Sequence, residues 1–287
     1  MFKSFGTFFK PISNIIGFNY LARRPNGNKF MVTEIDILIL ALIQGLTEWL
    51  PVSSSGHLVI MEKILGLNLP LIYNITLHIG TLIVVLTFFR ETVIRIIKAV
   101  IRLNFKCDEG KMAIFIIIGS IPIAISGFIF YDFFKSLFSN LLAVGLALLI
   151  TGFVLFFSDR KIGYEKMDSF DSLVIGLAQA LTIIPGISRS GLTVSTALMR
   201  KIDKTTAFRF SFLLSIPAIL GATFNEVQEF SLINVDIILL FLGIITSMIV
   251  GYVSLIFLRK LVLNEKIHLF AYYCWTIGIV IILFIVL

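Results

Sequence analysis

Long apolar runs, interrupted at two corresponding places by short polar breaks, set the pattern of this chain. From 35 to 50 the sequence is apolar and helical in pattern. Its 16 residues cover about 24 Å at 1.5 Å each, short of a hydrocarbon core about 30 Å thick. Pro51, three serines and Gly56 then break the run, which resumes over 57–66 and stops at Gly66. Two short helices meeting at a polar break predict a re-entrant hairpin, which is tolerated at membrane depth only where the break lines a cavity. Full-length runs follow at about 72–89, 112–131 and 138–157. A second short pair occupies 172–199, broken at 185–191, and runs at about 206–224, 235–258 and 267–287 close the chain. The expected architecture is two re-entrant helical hairpins plus six transmembrane helices.

The two halves are copies. A shift of 135 positions, without a gap, lays Gln44 on Gln179, Leu46 on Leu181, Thr47 on Thr182, Ser53 on Ser188, Ser55 on Ser190 and Gly56 on Gly191. With Asp36/Asp171, Leu38/Leu173, Leu42/Leu177 and Val59/Val194 this makes ten identities in the 24 columns from 36 to 59. Chance matches leucines readily, but not Gln, Thr, two Ser and a Gly in register, so an internal repeat is read first. Repeat one runs from about 34 to 157 and repeat two from about 169 to 287, inside a single membrane domain of 34–287. Each repeat holds one hairpin and three spans. Three is odd, so the second copy enters from the opposite side, giving an inverted-topology repeat whose site belongs between the broken helices near the midplane.

Composition fixes the class. The chain has 287 residues, 58% hydrophobic and only 14% charged, with a mean hydropathy of +1.01. Soluble domains carry about 25% charged residues, and lipid admits long apolar segments only as helices or closed barrels. We expect an all-α integral membrane protein of the cell membrane, with lipid neighbours and no nucleic-acid partner. Its oligomeric state, homodimer or otherwise, stays open. The net charge of +7 fits basic cytoplasmic loops. Loop 90–111 holds Arg90, Arg95, Lys98, Arg102, Lys106 and Lys111; loops 158–171, 200–209 and 259–266 are also basic; 132–137 holds one lysine and 225–234 has neither Lys nor Arg. The inverted repeat puts the first four loops in the cytoplasm and the last two outside, so the first hairpin opens to the non-cytoplasmic face. A basic arm, 1–33, carries Lys3, Lys10, Arg23, Arg24 and Lys29. It is too polar for a span and lacks a cleavage-site pattern after an apolar core. This topology leaves the arm outside, which the positive-inside rule does not explain. Cys107 and Cys274 read as isolated thiols.

Chemistry concentrates where the copies differ. Glu48 and His57 occur only in the first copy, opposite Ile183 and Leu192, and Arg189 occurs only in the second, opposite Ser54. One acid, one imidazole and one guanidinium on a symmetric scaffold is the pattern of a site. After each break a helix is expected to start at Ser55–Gly56 and at Ser190–Gly191, where unpaired N–H groups and the helix dipole attract anions. Converging breaks would make a double amide cradle fit for phosphate, with glycines allowing close approach and Ser53, Ser54, Ser188 and Ser190 offering hydroxyls. Arg189 adds a fork suited to bidentate phosphate contact. Glu48 would take a proton from a nucleophile or hold a divalent cation, and Gln44 lies one turn before it on the same face. His57 follows the break directly. His78 and His268 lie on apolar spans and read as structural, and Trp49 as packing.

Those residues carry a resemblance. GLTEWLPVSSSGH and PGISRSG are similar to the two signature motifs of the undecaprenyl-diphosphatase (bacitracin-resistance protein) family, over about 34–287. The resemblance implies a membrane phosphatase releasing inorganic phosphate from a polyprenyl diphosphate, recycling the lipid carrier for envelope glycan synthesis. It implies Glu48 as the catalytic glutamate, Ser54 as the motif serine proposed as nucleophile, His57 as the motif histidine and Arg189 as the phosphate-binding arginine. Ser53, Ser55 and Ser188 match flanking motif positions, and Gln44, Gly56, Gln179, Ser190 and Gly191 complete the expected substrate-binding set. Many members carry a second glutamate where this chain has Gln44, so no tightly held metal is expected; a substrate-borne Mg²⁺ or Ca²⁺ stays compatible, with Glu48 as its one candidate ligand. The competing class is a transporter or flippase of an anionic polyprenyl-phosphate lipid, which would share the anion cradle but needs no acid–base pair.

Overall fold

A computed structural model of the chain describes residues 32–67, 71–158, 165–228 and 236–287. Nearly all of the basic arm, most of loop 225–234 and part of loop 158–171 lie outside the described residues. Among the described residues there are twelve helices and no strand, apart from an isolated bridge between Glu165 and Ile202. They are α1 (Glu34–Trp49), α2 (Ser54–Leu65), α3 (Leu71–Phe88), α4 (Arg90–Ile101), α5 (Asp108–Ile129), α6 (Tyr131–Leu137), α7 (Leu141–Ser158), α8 (Ser169–Leu181), α9 (Arg189–Met199), α10 (Lys204–Gln228), α11 (Ile237–Leu263) and α12 (Leu269–Val286).

Five helices, α5, α7, α10, α11 and α12, are long and apolar enough to cross a membrane, and α3 with α4 makes a sixth if that bent pair counts as one span. Their outward faces are greasy: Phe128, Phe153, Phe241 and Phe257 are all at least half exposed, the pattern of a surface solvated by acyl chains. Two stretches differ from the sequence reading. Loop 90–111 contains a helix, α4, at 79° to α3, and loop 132–137 forms the short helix α6. In both, an amphipathic or aromatic-rich segment between spans can pair its backbone as a short helix, which the charge of a loop does not reveal.

The 135-residue offset reappears in the backbone. Helix α1 starts at Glu34 and α8 at Ser169; α2 starts at Ser54 and α9 at Arg189. Thr33 and Asp36 form a capping box at the head of α1, and Asp168 and Asp171 form one at the head of α8, each satisfying two otherwise unpaired amides. Asp171 also pairs with Arg200 at 2.7 Å, tying the head of α8 to the end of α9. The breaks are capped alike: Ser53 Oγ accepts from Gly56 N at 3.3 Å and Ser188 Oγ from Gly191 N at 3.2 Å. Both helices start one residue earlier than the sequence places them, at Ser54 and Arg189, the usual latitude at a helix end.

Packing interleaves the halves. Helix α1 lies against α11, α8 against α5, and α7 against α12. Contacts are made at small residues, as expected where apolar burial cannot by itself drive helices together in lipid. A Cβ on Gly45 of α1 would sit 2.9 Å from Gly251 N of α11, and one on Gly176 of α8 would collide with the Gly119 backbone of α5. The central core runs through Trp49, Phe89, Phe208, Phe210 and Phe212, with Trp49 and Phe212 rings 5.4 Å apart. Val52, in the first break, belongs to the same core.

Candidate active site

The two breaks meet. Gly56 backs onto Gly186: a Cβ there would lie 3.1 Å from Gly186 Cα. Gly191 faces Pro51 of the first break. Ser53 takes a left-handed φ of 71° and Gly186 a φ of 100°. Strain of this kind at a serine costs roughly 1–3 kcal/mol and persists only where neighbours over-determine it. Here they do. Ser53 Oγ accepts from Gly186 N at 3.1 Å, across the two breaks. On α7, Thr151 Oγ1 donates to Gly186 O and accepts from Ser188 N, each at 3.1 Å. One hydroxyl buried on a neighbouring helix thus holds the second break in shape. Thr151→Val keeps the volume and strands both backbone groups. We expect it to cost about 1–3 kcal/mol, read as a lowered melting temperature in detergent. An unchanged melt would mean that Thr151 is not what shapes this break.

Around this joint the reactive groups gather. The Glu48 carboxylate is 1% exposed; its Oε1 pairs with Arg189 Nη2 and its Oε2 accepts from Ser54 Oγ at 2.5 Å and from Gln44 Nε2 at 2.9 Å. Arg189 Nη1 reaches Ser215 O at 3.4 Å. Gln44 Nε2 also lies 3.0 Å from His78 Nδ1. An amide nitrogen only donates, so His78 Nδ1 accepts and its ring carries the proton on Nε2. The 3.7 Å between His78 Nδ1 and Glu48 Oε2 is therefore proximity, and becomes an ion pair only if the ring gains a second proton.

A cavity of about 230 Å³ opens beside these groups. Its lining combines the polar Glu48, Ser53, Ser54, Ser55, His78, Ser188 and Arg189 with the apolar Ile123, Phe138, Ile183, Ile219 and Ala222. Glu48 and Arg189 also border a second space of about 10 Å³, with Trp49, Ser190, Ser211, Phe212 and Ser215.

The structure brings Glu48, Ser54, Arg189 and the serines of both breaks together. Three expected members do not line the cavity, although one of them, Gln44, joins the group through Glu48. His57 does not line the cavity: its Nδ1 lies 2.8 Å from Ser53 O and its Nε2 2.8 Å from Tyr273 OH, with the two rings stacked. At the fourth position of α2, its side chain reaches back to the break at Ser53 O and outward to Tyr273 of α12. Gln179 is fully buried off the cavity, and neither amide atom has a hydrogen-bond partner among the described residues. Gln44 touches Glu48 rather than the cavity wall. Gly56 and Gly191 spend their amides on the cap serines, and their lack of a side chain lets the breaks touch. The amides left for an anion are those of Ser54, Ser55, Arg189 and Ser190, which precede the first intrahelical bonds. His78 and Thr151 are the residues the sequence reading missed. Asn74, His78 and Thr81, at i, i+4 and i+7 on a largely apolar helix, form a polar stripe that flags the first.

Fold and site together define a class: a multi-pass helical membrane protein whose two polar helix starts face one cavity across a buried carboxylate–guanidinium pair. The chain belongs to the bacitracin resistance protein BacA family, whose profile matches residues 37–280. It is 40% identical over 260 residues to the undecaprenyl-diphosphatase of Carboxydothermus hydrogenoformans, covering 87% of this chain and 97% of that one. It is 41% identical over 255 residues to the undecaprenyl-diphosphatase of Halothermothrix orenii, covering 86% and 96%. Undecaprenyl-diphosphatase 3 of Bacillus cereus is 37% identical over 257 residues.

Proposed function

We propose that this cavity is where the chain hydrolyses undecaprenyl diphosphate to the monophosphate and inorganic phosphate. The activity follows from the family and its relatives; the assignment of steps to residues is our reading. One observation carries it: Ser54 Oγ sits 2.5 Å from one oxygen of a carboxylate whose other oxygen is held by Arg189. A hydroxyl on a fixed base is the arrangement of an activated nucleophile. The diphosphate sits against the polar lining of the cavity, with its terminal phosphoryl group against the amides of Ser54, Ser55, Arg189 and Ser190. Glu48 takes the Ser54 proton, Ser54 Oγ bonds to the terminal phosphorus, and the bond to the bridging oxygen breaks. The lipid monophosphate leaves as an anion and needs no proton near neutral pH, since its second pKa is about 6. Glu48 then releases that proton to the cavity, takes one from a water whose oxygen bonds to the phosphorus, and returns it to Ser54 Oγ as the serine–phosphorus bond breaks and inorganic phosphate leaves. Arg189 and the amides meet the charge that grows on the phosphoryl oxygens. His57 keeps the first break in register through Ser53 O, and His78 orients Gln44 and with it the carboxylate.

The donor set does not fit a resident metal. Among the described residues no three of His, Cys, Asp and Glu gather, and both Glu48 oxygens already face donors. We derive no step through a cation; one travelling with the diphosphate belongs to the substrate.

The same reading makes 34–287 one membrane domain of two inverted repeats, with α1–α2 and α8–α9 as re-entrant hairpins and the cavity open to the non-cytoplasmic face. The repeated helix starts and the basic residues at one set of helix ends support it. Two experiments test function and side separately. Quenching a single turnover of labelled substrate in acid should trap label on Ser54, and a Ser54→Ala protein that still turns over at the full rate would remove the nucleophile. Cysteine at Ser55, after Cys107 and Cys274 are replaced, should react with an impermeant thiol reagent added outside intact cells. Labelling from inside alone would invert the topology, and labelling from both sides would favour the carrier reading.

A further inference from the structure

Among the described residues, helix α4 and the turn after it carry a dense group of cations that the active site leaves unused. The helix leaves α3 at a bend of 79° and leads on into α5, an apolar helix long enough to span. The sequence reads 72–89 as a full-length span, and a helix turned so far from such a span lines up with the bilayer surface rather than crossing it. The residues of α4 sort onto three faces. Val93 and Ile96 pack on the core, and Ala99 is buried. Ile94, Ile97 and Ile101, at i, i+3 and i+7, are 50%, 51% and 75% exposed, and Leu103 just beyond is 76% exposed. Arg95, Lys98 and Arg102 share a third face at the same spacing, all exposed. Between 90 and 106 five cations face one acid, Glu91. From α5, the Glu109 carboxylate answers Arg95 at 3.2 Å, and Asp108 and Lys111 are the other charges at its head.

An exposed isoleucine stripe beside an exposed cationic stripe suits neither water nor the hydrocarbon core. It suits the boundary between them, with the apolar face about 5–10 Å into the headgroup layer and the cations at lipid phosphates. We propose that α4 is a binding surface for anionic lipid headgroups. Ile94, Ile97 and Ile101 seat in the acyl boundary, while Lys98, Arg102 and the part of Arg95 left free by Glu109 contact the phosphates. Charge complementarity and direct continuity with two membrane helices select this occupant over a second copy or a soluble protein. The proposal does not rest on the phosphatase reading.

The test uses the full chain in nanodiscs, with Cys107 and Cys274 replaced and an environment-sensitive fluorophore on Ile97→Cys or Lys98→Cys. In discs mixing phosphatidylcholine and phosphatidylglycerol, the label at 97 should emit from an apolar setting and be quenched by a nitroxide on the acyl chain. The label at 98 should be quenched by a water-soluble agent instead. Spin-labelled phosphatidylglycerol should be preferred over spin-labelled phosphatidylcholine. That preference should fall about fivefold for each of Lys98→Gln and Arg102→Gln at low salt, and fade as salt is added. Because these side chains are exposed and far from the cavity, unchanged substrate turnover will show the variants folded. Equal quenching at 97 and 98 by the water-soluble agent would overturn the proposal. So would a lipid preference untouched by the double variant, or cross-linking of two chains through position 97.

Discussion

Arg189→Lys should lose most of its turnover, with kcat down about 10²–10³-fold, although the charge is kept. Arg189 does three things from one planar group. It holds Glu48 through Nη2, rests on Ser215 O through Nη1 at 3.4 Å, and presents the remaining N–H groups to the cavity. A lysine ammonium is a single point on a flexible stem. It can reach the carboxylate or the phosphoryl group, but cannot span both while braced on α10. Phosphate release by purified protein, as kcat and KM, checks this. The loss should fall on kcat, because the contact tightens as charge develops. Near-normal kcat in the lysine protein would show that charge alone was needed and that the fork has no catalytic meaning.

Glu48→Gln should cost as much or more in rate, about 10²–10⁴-fold, and something in stability as well. The amide keeps the shape and still accepts from Ser54, but it cannot take the proton. It also leaves Arg189 as a charge without its partner, 17% exposed beside the cavity. Breaking a buried pair from one side costs about 3–5 kcal/mol; the cavity's water should lower that here. The two effects separate by measurement. A melt in detergent reports the unpaired charge, and saturating phosphate analogue should restore part of it by occupying Arg189. Single-turnover labelling of Ser54 reports the lost base and should not recover. A Glu48→Gln protein that forms phosphoserine at the normal rate would remove Glu48 as the proton acceptor.

How far the sequence reaches is clearest residue by residue. The duplication, the hairpin breaks and the odd charges Glu48 and Arg189 were all legible, because each is local. Helix breaks come from Pro and Gly, caps from Ser, Thr and Asp, and insertion in lipid from runs of apolar residues. The repeat even predicts which caps correspond, and Ser53 and Ser188 do cap alike. His57 and His78 show the limit. Spacing brought His57 to the serines and left His78 on an apolar span. The fold sends His57 out to Tyr273 and brings His78 to Gln44 across 34 positions.

The sequence by itself therefore determined what this chain could not avoid. It must live in a membrane as helices, break them at two places, and carry one carboxylate and one guanidinium there. Tertiary structure decided which imidazole stands beside the carboxylate, that Thr151 clasps the second break, and that Gln179, equivalent to Gln44 in the repeat, is off the site. The reason is physical. Backbone preferences act over a few residues and are written in neighbours. A side chain's partner is set by how whole helices cross, and those crossings rest on small residues such as Gly45 against Gly251 and Gly176 against Gly119. In one dimension each of these is merely a glycine.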